Sequence, residues 1–308
     1  MTSSIVASET DASTIKCRAC TWLSGKGGTA KSFMCFHIAG EASAQGIKTL
    51  LADVDPERNL TSKFHIDHPG LQDAPGLADV LIEAGILDGD SDFNIEAGAR
   101  KLKEVIVKDV WPHVDYLPAG KKLQAISQQS LSGNEWFWLL REIFEEAGLY
   151  DYYQLMLLDS AGRRGSLVTM LMYACDVAGS PITDMEDAID KAADAKARVL
   201  KIQKAHDIKW MGVVITGIDT RTVYNQVMRT GAYEEFGGKL DDSGNLVESG
   251  EVIAEIPYRK GSAHEAYHMG KRLADRQGAH IKELRALFAG ILFNHILEVP
   301  RHQGVEAS

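Results

Sequence analysis

The run Gly25-Lys26-Gly27-Gly28-Thr29-Ala30-Lys31-Ser32 is the part of the chain best equipped for chemistry. Its glycines let successive backbone N–H groups converge on anionic oxygens, and a helix starting just after them points its positive end at the same spot. In the phosphate-loop pattern G-x-x-x-x-G-K-[ST], Gly25 fills the first position and Ala30, Lys31 and Ser32 the last three. Lys31 would neutralise the terminal phosphates of a nucleotide, and the Ser32 hydroxyl would join a Mg²⁺ shell. Alanine stands where the pattern has its second glycine, which is tolerable provided the backbone at Ala30 needs no positive φ.

Such a loop needs an acid to hold the metal and a group to orient the attacking water. Two runs offer carboxylates. Leu50-Leu51-Ala52-Asp53-Val54-Asp55 is an apolar strand ending on two acids, which share a side if the extended geometry persists. Both acids would serve equally well as caps of a following helix. Gln154-Leu155-Met156-Leu157-Leu158-Asp159 is a second apolar run that delivers one carboxylate at its end.

The elements that must position these groups alternate along the chain. Strands are expected at residues 18–24, 49–53, 114–118, 154–159, 177–182, 210–216 and 252–256. Helices are expected at 31–45, 77–84, 135–147 and 185–204. This alternation implies a doubly wound α/β fold, a mostly parallel sheet with helices on both faces. Residues 237–250 read as an exposed loop or hairpin. We expect a flexible tail over residues 1–14, a single domain over 15–297 and a C-terminal tail over 298–308.

Composition narrows the classes further. The 308 residues are 45% hydrophobic and 25% charged, with a formal net charge of −10, so nucleic acid has no global attraction for the chain. A local basic patch would have to do the work. Seven basic residues face three acidic ones between positions 256 and 285, among them Arg259, Lys260, Lys271 and Arg272, and Arg221 and Arg229 extend the set. Four cysteines do not make a disulfide scaffold. With no secretory leader and no run of apolar residues long enough to span a bilayer, a cytoplasmic setting is expected.

The second lysine gives the loop a specific likeness. Lys26-Gly27-Gly28-Thr29-Ala30-Lys31-Ser32 resembles the deviant Walker A signature, K-G-G-x-x-K-[ST], of the ParA/MinD ATPases. Asp53-Val54-Asp55-Pro56-Glu57-Arg58-Asn59-Leu60-Thr61 resembles that family's D-x-D-P-[QE]-x-N-x-T segment. Further likenesses, at 173–181, 212–221 and 255–259, keep the family's order. One departure stands out: the family's D-x-P-P after the third acid reads Asp159-Ser160-Ala161-Gly162 here, followed by Arg163 and Arg164.

The resemblance implies a P-loop ATPase that binds ATP and Mg²⁺ through residues 25–32 and is slow and partner-regulated. It implies a homodimer in which Lys26 reaches the partner's nucleotide, and Asp55 as the residue that activates water. It implies Asp53 and Asp159 near the metal through water, Asn59 and Thr61 in a switch segment, and Pro257 near the adenine. Among the family's functions, nonspecific DNA binding with a ParB-like centromere-binding or adaptor partner, serving plasmid or chromosome partition at the nucleoid, fits the basic segment. A carboxysome- or MinD-like positioning scaffold with little turnover is the alternative. Membrane binding is not expected, because the apolar segment 281–293 carries few cations and reads as packing on the domain. Cys17-Arg18-Ala19-Cys20 precedes the loop and reads as a structural pair rather than a cluster site.

Overall fold

The structure is a computed structural model that describes residues 15–25, 28–64, 67–87, 92–129, 135–162, 165–219, 221–241, 243–257 and 263–298. The expectations placed on Lys26, Gly27, Arg163, Arg164, Arg259, Lys260 and the two terminal tails up to residue 14 and from 299 lie outside these residues.

The strands are β1 (Arg18–Trp22), β2 (Thr49–Val54), β3 (Val107–Trp111), β4 (Val114–Leu117) and β5 (Leu155–Ser160), followed by β6 (Val177–Ile182), β7 (Lys209–Ile218), β8 (Lys239–Leu240), β9 (Leu246–Glu248) and β10 (Val252–Pro257). The first helices are α1 (Lys31–Ala44), α2 (Thr61–Phe64), α3 (Leu77–Glu83), α4 (Ile95–Val105), α5 (Leu123–Ser127) and α6 (Leu139–Glu146). They are followed by α7 (Leu149–Tyr152), α8 (Ser166–Ala174), α9 (Ala188–Ile202), α10 (Val223–Glu235), α11 (Ala263–His268) and α12 (Ala279–Ile291).

Eight strands form one sheet in the order β10-β7-β6-β1-β5-β2-β4-β3, parallel throughout except for the pairing of β3 with β4. This is the doubly wound α/β architecture the alternation implied. The central strands are buried on both faces, and their side chains divide by parity. Ala19, Leu50, Ala52, Met156 and Leu158 face a layer built by α3, α4, α6 and α8. Cys20, Trp22, Leu51, Leu155 and Leu157 face a layer built by α1, α11 and α12. Helix α1 lies inside that second layer with twelve of its fourteen residues buried, which explains why its sequence is apolar on every side rather than along one stripe. Segment 281–293 packs on α1 as expected, through Ile281, Leu284 and Phe288.

Three elements depart from the expectations. Helix α4 and the edge strand β3 lie between the expected helix at 77–84 and the expected strand at 114–118, where no element was expected. β3 has exposed residues at Lys108 and Asp109 and a left-handed residue at Asp109, so it lacks the apolar run that marks the inner strands. The expected helix over 135–147 is split, with a 3₁₀ turn at Glu135–Phe137 ahead of α6. Residues 237–250 do form a hairpin, β8 with β9.

Candidate nucleotide and metal site

Because β1 and β5 are adjacent and in register, Trp22 lies beside Asp159. Because β5 and β2 are adjacent, Asp159 lies beside Asp53. The phosphate loop leaves the end of β1, so the register alone brings the loop and the strand-end acids to one edge of the sheet. Strand alternation places ligands of such sheets at the carboxyl ends of the strands.

At the loop, Lys31 is 5% exposed and donates to the hydroxyls of Ser24 and Thr29 at 3.3 and 3.4 Å, while those two hydroxyls bond each other at 2.6 Å. Burial pushes the Lys31 ammonium below its ordinary pKa, while the Asp159 and Asp55 charges pull the other way. Gly28 has φ +76°, and a side chain there would also meet Met185. Ala30 has φ 64° and ψ 16°, in the left-handed region. The condition under which alanine was tolerable is therefore not met. The loop does demand glycine-like geometry, and alanine pays about 1–2 kcal/mol of strain to supply it. Strain of this kind survives where surrounding structure fixes the turn, as the helix entry does here.

The three acids sit in different electrostatic situations. Asp53 is fully buried and receives the Thr61 amide at 2.8 Å, the Thr61 hydroxyl at 2.7 Å and the Asp55 amide at 3.0 Å. Burial raises its pKa to about 6 against the lowering by the Thr61 bonds. Its carboxylate is thus committed to bracing the turn from β2 into α2, the capping alternative the sequence left open. Asp55 is 5% exposed, is raised by burial and accepts the Glu57 amide at 3.0 Å. Asp159 is fully buried, and neither of its oxygens has a hydrogen-bond partner of good geometry. Burial and then the Asp53 charge push it well above the usual carboxylate range, while the Ser32 hydroxyl and Lys31 oppose that shift.

A buried carboxylate with no donors is costly, and a divalent cation beside Ser32 would satisfy it. No cluster of three or more His, Cys, Asp and Glu side chains forms a preformed cage among the described residues. That fits Mg²⁺, which keeps several waters and shares its ligands with substrate phosphates. Ser32 and Asp159 are the residues that fit the metal; Asp53 stands behind them.

Lys31, Ser32 and Asp55 open onto a cleft of about 600 Å³, with Asp53 and Asp159 fully buried. One end is Gly28, Thr29, Ala30, Lys31, Ser32 and Phe33; Asp55, Glu57 and Asn59 border it; Thr216, Gly217 and Asp219 at the end of β7 close the far side. Of the residues expected in a switch segment, Asn59 lines the cleft and donates to Glu57 at 3.0 Å, whereas Thr61 is buried and meets the Tyr116 hydroxyl at 2.9 Å. The proline-free segment after Asp159 is tied down in another way, since the Ser160 hydroxyl donates to the Trp22 carbonyl at 2.5 Å.

Pro257 is placed elsewhere. It lines a neighbouring groove with Arg229, Glu255 and Leu284, because β10 is the sheet edge one strand beyond β7. The four described cations expected at DNA are each held by an acid: Arg221 by Asp219, Arg229 by Glu255, Lys271 by Asp67 and Arg272 by Asp275. Arg276 and Arg285 pair in the same way with Glu265 and Glu41. Cys17 and Cys20 are buried free thiols, as a structural pair would be. Sequence reasoning missed Ser24, Met185 and Asn225 at the site; nothing in their spacing signals them.

The profile of the CobQ/CobB/MinD/ParA nucleotide binding domain matches residues 20–270, and the chain belongs to that family. The chromosome partitioning protein ParA of Caulobacter vibrioides is 23% identical over 234 residues, covering 75% of this chain and 80% of the relative. Among solved structures, an ATP complex of an McdA variant from Cyanothece superposes with a TM-score of 0.70 at 17% identity, covering 93% of this chain and 98% of that one. A putative plasmid partition protein from Borrelia burgdorferi bound to AMPPNP gives a TM-score of 0.63 at 20% identity, covering 90% and 98%.

Proposed function

We propose that the chain is a Mg²⁺-dependent ATPase that works as a nucleotide-gated homodimer. The observation that carries this reading is Asp159, a fully buried carboxylate without hydrogen bonds beside Lys31 and Ser32 of a phosphate loop. In this reading the backbone of the loop and Lys31 bind the phosphates, and Ser32 and Asp159 hold the cation, which supplies charge neutralisation at the β and γ oxygens. Asp55, which lines the cleft and is raised by burial, orients and deprotonates the attacking water. Lys26 reaches the partner's nucleotide, a cation supplied in trans.

Nucleotide state then governs what the dimer holds. Partition-type DNA binding, released when a ParB-like partner stimulates hydrolysis, is supported by the likeness to ParA and by the basic segment. Positioning of another cargo is the second reading, and one observation favours it: every described cation of that segment proposed for DNA is already paired with a carboxylate. Phosphate-release and sedimentation assays test the core of the proposal. Lys26→Ala should bind ATP yet lose ATP-dependent dimerisation and hydrolysis; retention of both removes the trans lysine. Reversing charge at Lys271 and Arg272 should weaken DNA retention and flatten its salt slope, and an unchanged slope favours the positioning reading.

A further inference from the structure

Lys31 shares the cleft with a second lysine. Lys63 lines it from α2, the short helix that follows the turn holding Asp53 and Asp55. That helix is anchored on either side of Lys63. Thr61 donates its amide and its hydroxyl to Asp53, and Phe64 is buried against Trp111 and Tyr116, with ring centroids 4.9 and 4.8 Å away. Gly270, at φ +65°, passes so close to the Lys63 carbonyl that a Cβ there would lie 2.1 Å from its oxygen. The backbone is thereby fixed, and the side chain is what can answer a ligand. Its ammonium has no carboxylate partner among the described residues; it stands over the Tyr267 ring, 5.0 Å from the centroid. Arg229, Lys271, Arg272 and Arg285, by contrast, each close an ion pair. A cation resting on an aromatic face is held more weakly than one on a carboxylate, and it exchanges readily for an anionic oxygen.

Tyr267 indicates which oxygen that is. Its side chain lines the same cleft, packs on Phe33 and Phe36 of α1 with ring centroids 5.8 and 5.2 Å away, and reaches the Ser32 side chain through its hydroxyl. Lys63 therefore stands one aromatic ring away from Ser32. Asp55 and Glu57, from the same stretch of chain after β2, line the cleft with it. Ser32 is the residue that fits a cation bridging the β and γ oxygens of a nucleotide, so the terminal phosphate belongs at this end. We infer that Lys63 is a second phosphate-binding residue: its ammonium moves from the Tyr267 face to the γ-phosphate oxygens, and α2 thereby tells a triphosphate from a diphosphate. The inference rests on the nucleotide reading above and adds which phosphate α2 reads.

Calorimetric titration of the full-length protein in Mg²⁺ tests it with two ligands: AMPPNP, a triphosphate analogue that resists hydrolysis, and ADP. The wild type should bind AMPPNP at least about tenfold more tightly than ADP. Lys63→Gln keeps most of the stem and removes the charge. Its AMPPNP affinity should fall about 10- to 100-fold, the scale of a hydrogen bond to a charged group, and its ADP affinity by less than about threefold. Lys63→Arg keeps the charge and should retain most of the AMPPNP affinity. Equal losses for the two nucleotides in a folded Lys63→Gln protein, or no loss for either, overturn the assignment to the terminal phosphate. An arginine variant as weak as the glutamine variant overturns the role of the charge. Equal binding of AMPPNP and ADP by the wild type overturns the discrimination whether or not the variants fold, and binding of neither overturns the nucleotide reading itself.

Discussion

Lys31 and Arg285 are both cations held against α1, and the chain treats them in opposite ways. Lys31, at the helix start, donates to the hydroxyls of Ser24 and Thr29 and faces Asp159, whose oxygens have no hydrogen bonds. Arg285, reaching from α12 to the last turn of α1, closes a bidentate pair on Glu41 at 2.9 and 3.2 Å. The cleft therefore sets a buried lysine within the field of buried acids at the phosphate loop. The segment from α11 to α12, although richer in cations, uses several of them to fasten the chain to itself: Lys271 to Asp67, Arg272 to Asp275 and Ser43, Arg276 to Glu265. Charge density in a sequence and charge available to a ligand are different quantities, and the partner geometry separates them.

The comparison can be broken first at the cleft. Asp159→Asn removes a carboxyl whose ionised form burial and the Asp53 charge disfavour, so thermal melting of the nucleotide-free protein should rise while Mg²⁺-dependent ATP binding falls at least tenfold. A fall in both would mean that the carboxylate is structural. The same acids give a pH signature. Asp53, raised to about 6, and Asp159, also raised, hold protons more tightly folded than unfolded. The nucleotide-free wild type should accordingly gain stability from these groups as pH falls from above 6 towards the unfolded carboxylate range near 4. Mg²⁺ affinity should weaken over the same window, because protons compete for the site.

On the other side, Glu41→Ala strips Arg285 of its partner inside the α1–α12 contact. We expect a loss of about 2 kcal/mol in chemical denaturation, with nucleotide affinity little changed. An unchanged midpoint would show that this pair does not fasten α12. Ala30→Gly should relieve the left-handed backbone and stabilise the protein by up to about 1 kcal/mol, the strain relief being partly offset by greater freedom in the unfolded chain. Destabilisation there would contradict the strain. Lys271→Ala, whose ion pair with Asp67 is nearly half exposed, should change stability by no more than about 0.5 kcal/mol.

Much of the frame was legible in advance for a physical reason. The inner parallel strands are buried on both faces, so they read as unbroken apolar runs, and the acids at the ends of β2 and β5 marked the edge where the cleft opens. Strand β3 escaped notice because an edge strand paired on one side carries exposed residues and no such run. The left-handed backbone at Ala30 is a property of the loop's path, which residue type does not reveal. The ion pairs of the basic segment could not be read in advance, since the partners are remote in sequence: Lys271 and Asp67 are 204 residues apart, Arg285 and Glu41 244. Lys63 gave no signal because a lysine in a short helix reads as a solvated side chain; only its place in the cleft, over the Tyr267 ring, distinguishes it.

The central claim is that the cleft at the phosphate loop is a Mg²⁺–triphosphate site in which Lys31 is the cation that binds phosphate. Titration of ATP into the wild type and Lys31→Ala, each with and without Mg²⁺, tests it most directly. The account predicts Mg²⁺-dependent binding in the wild type and a loss of at least about 100-fold in the variant, the scale of one buried charge-assisted contact. Equal affinity in the two proteins, or binding indifferent to Mg²⁺, would contradict it.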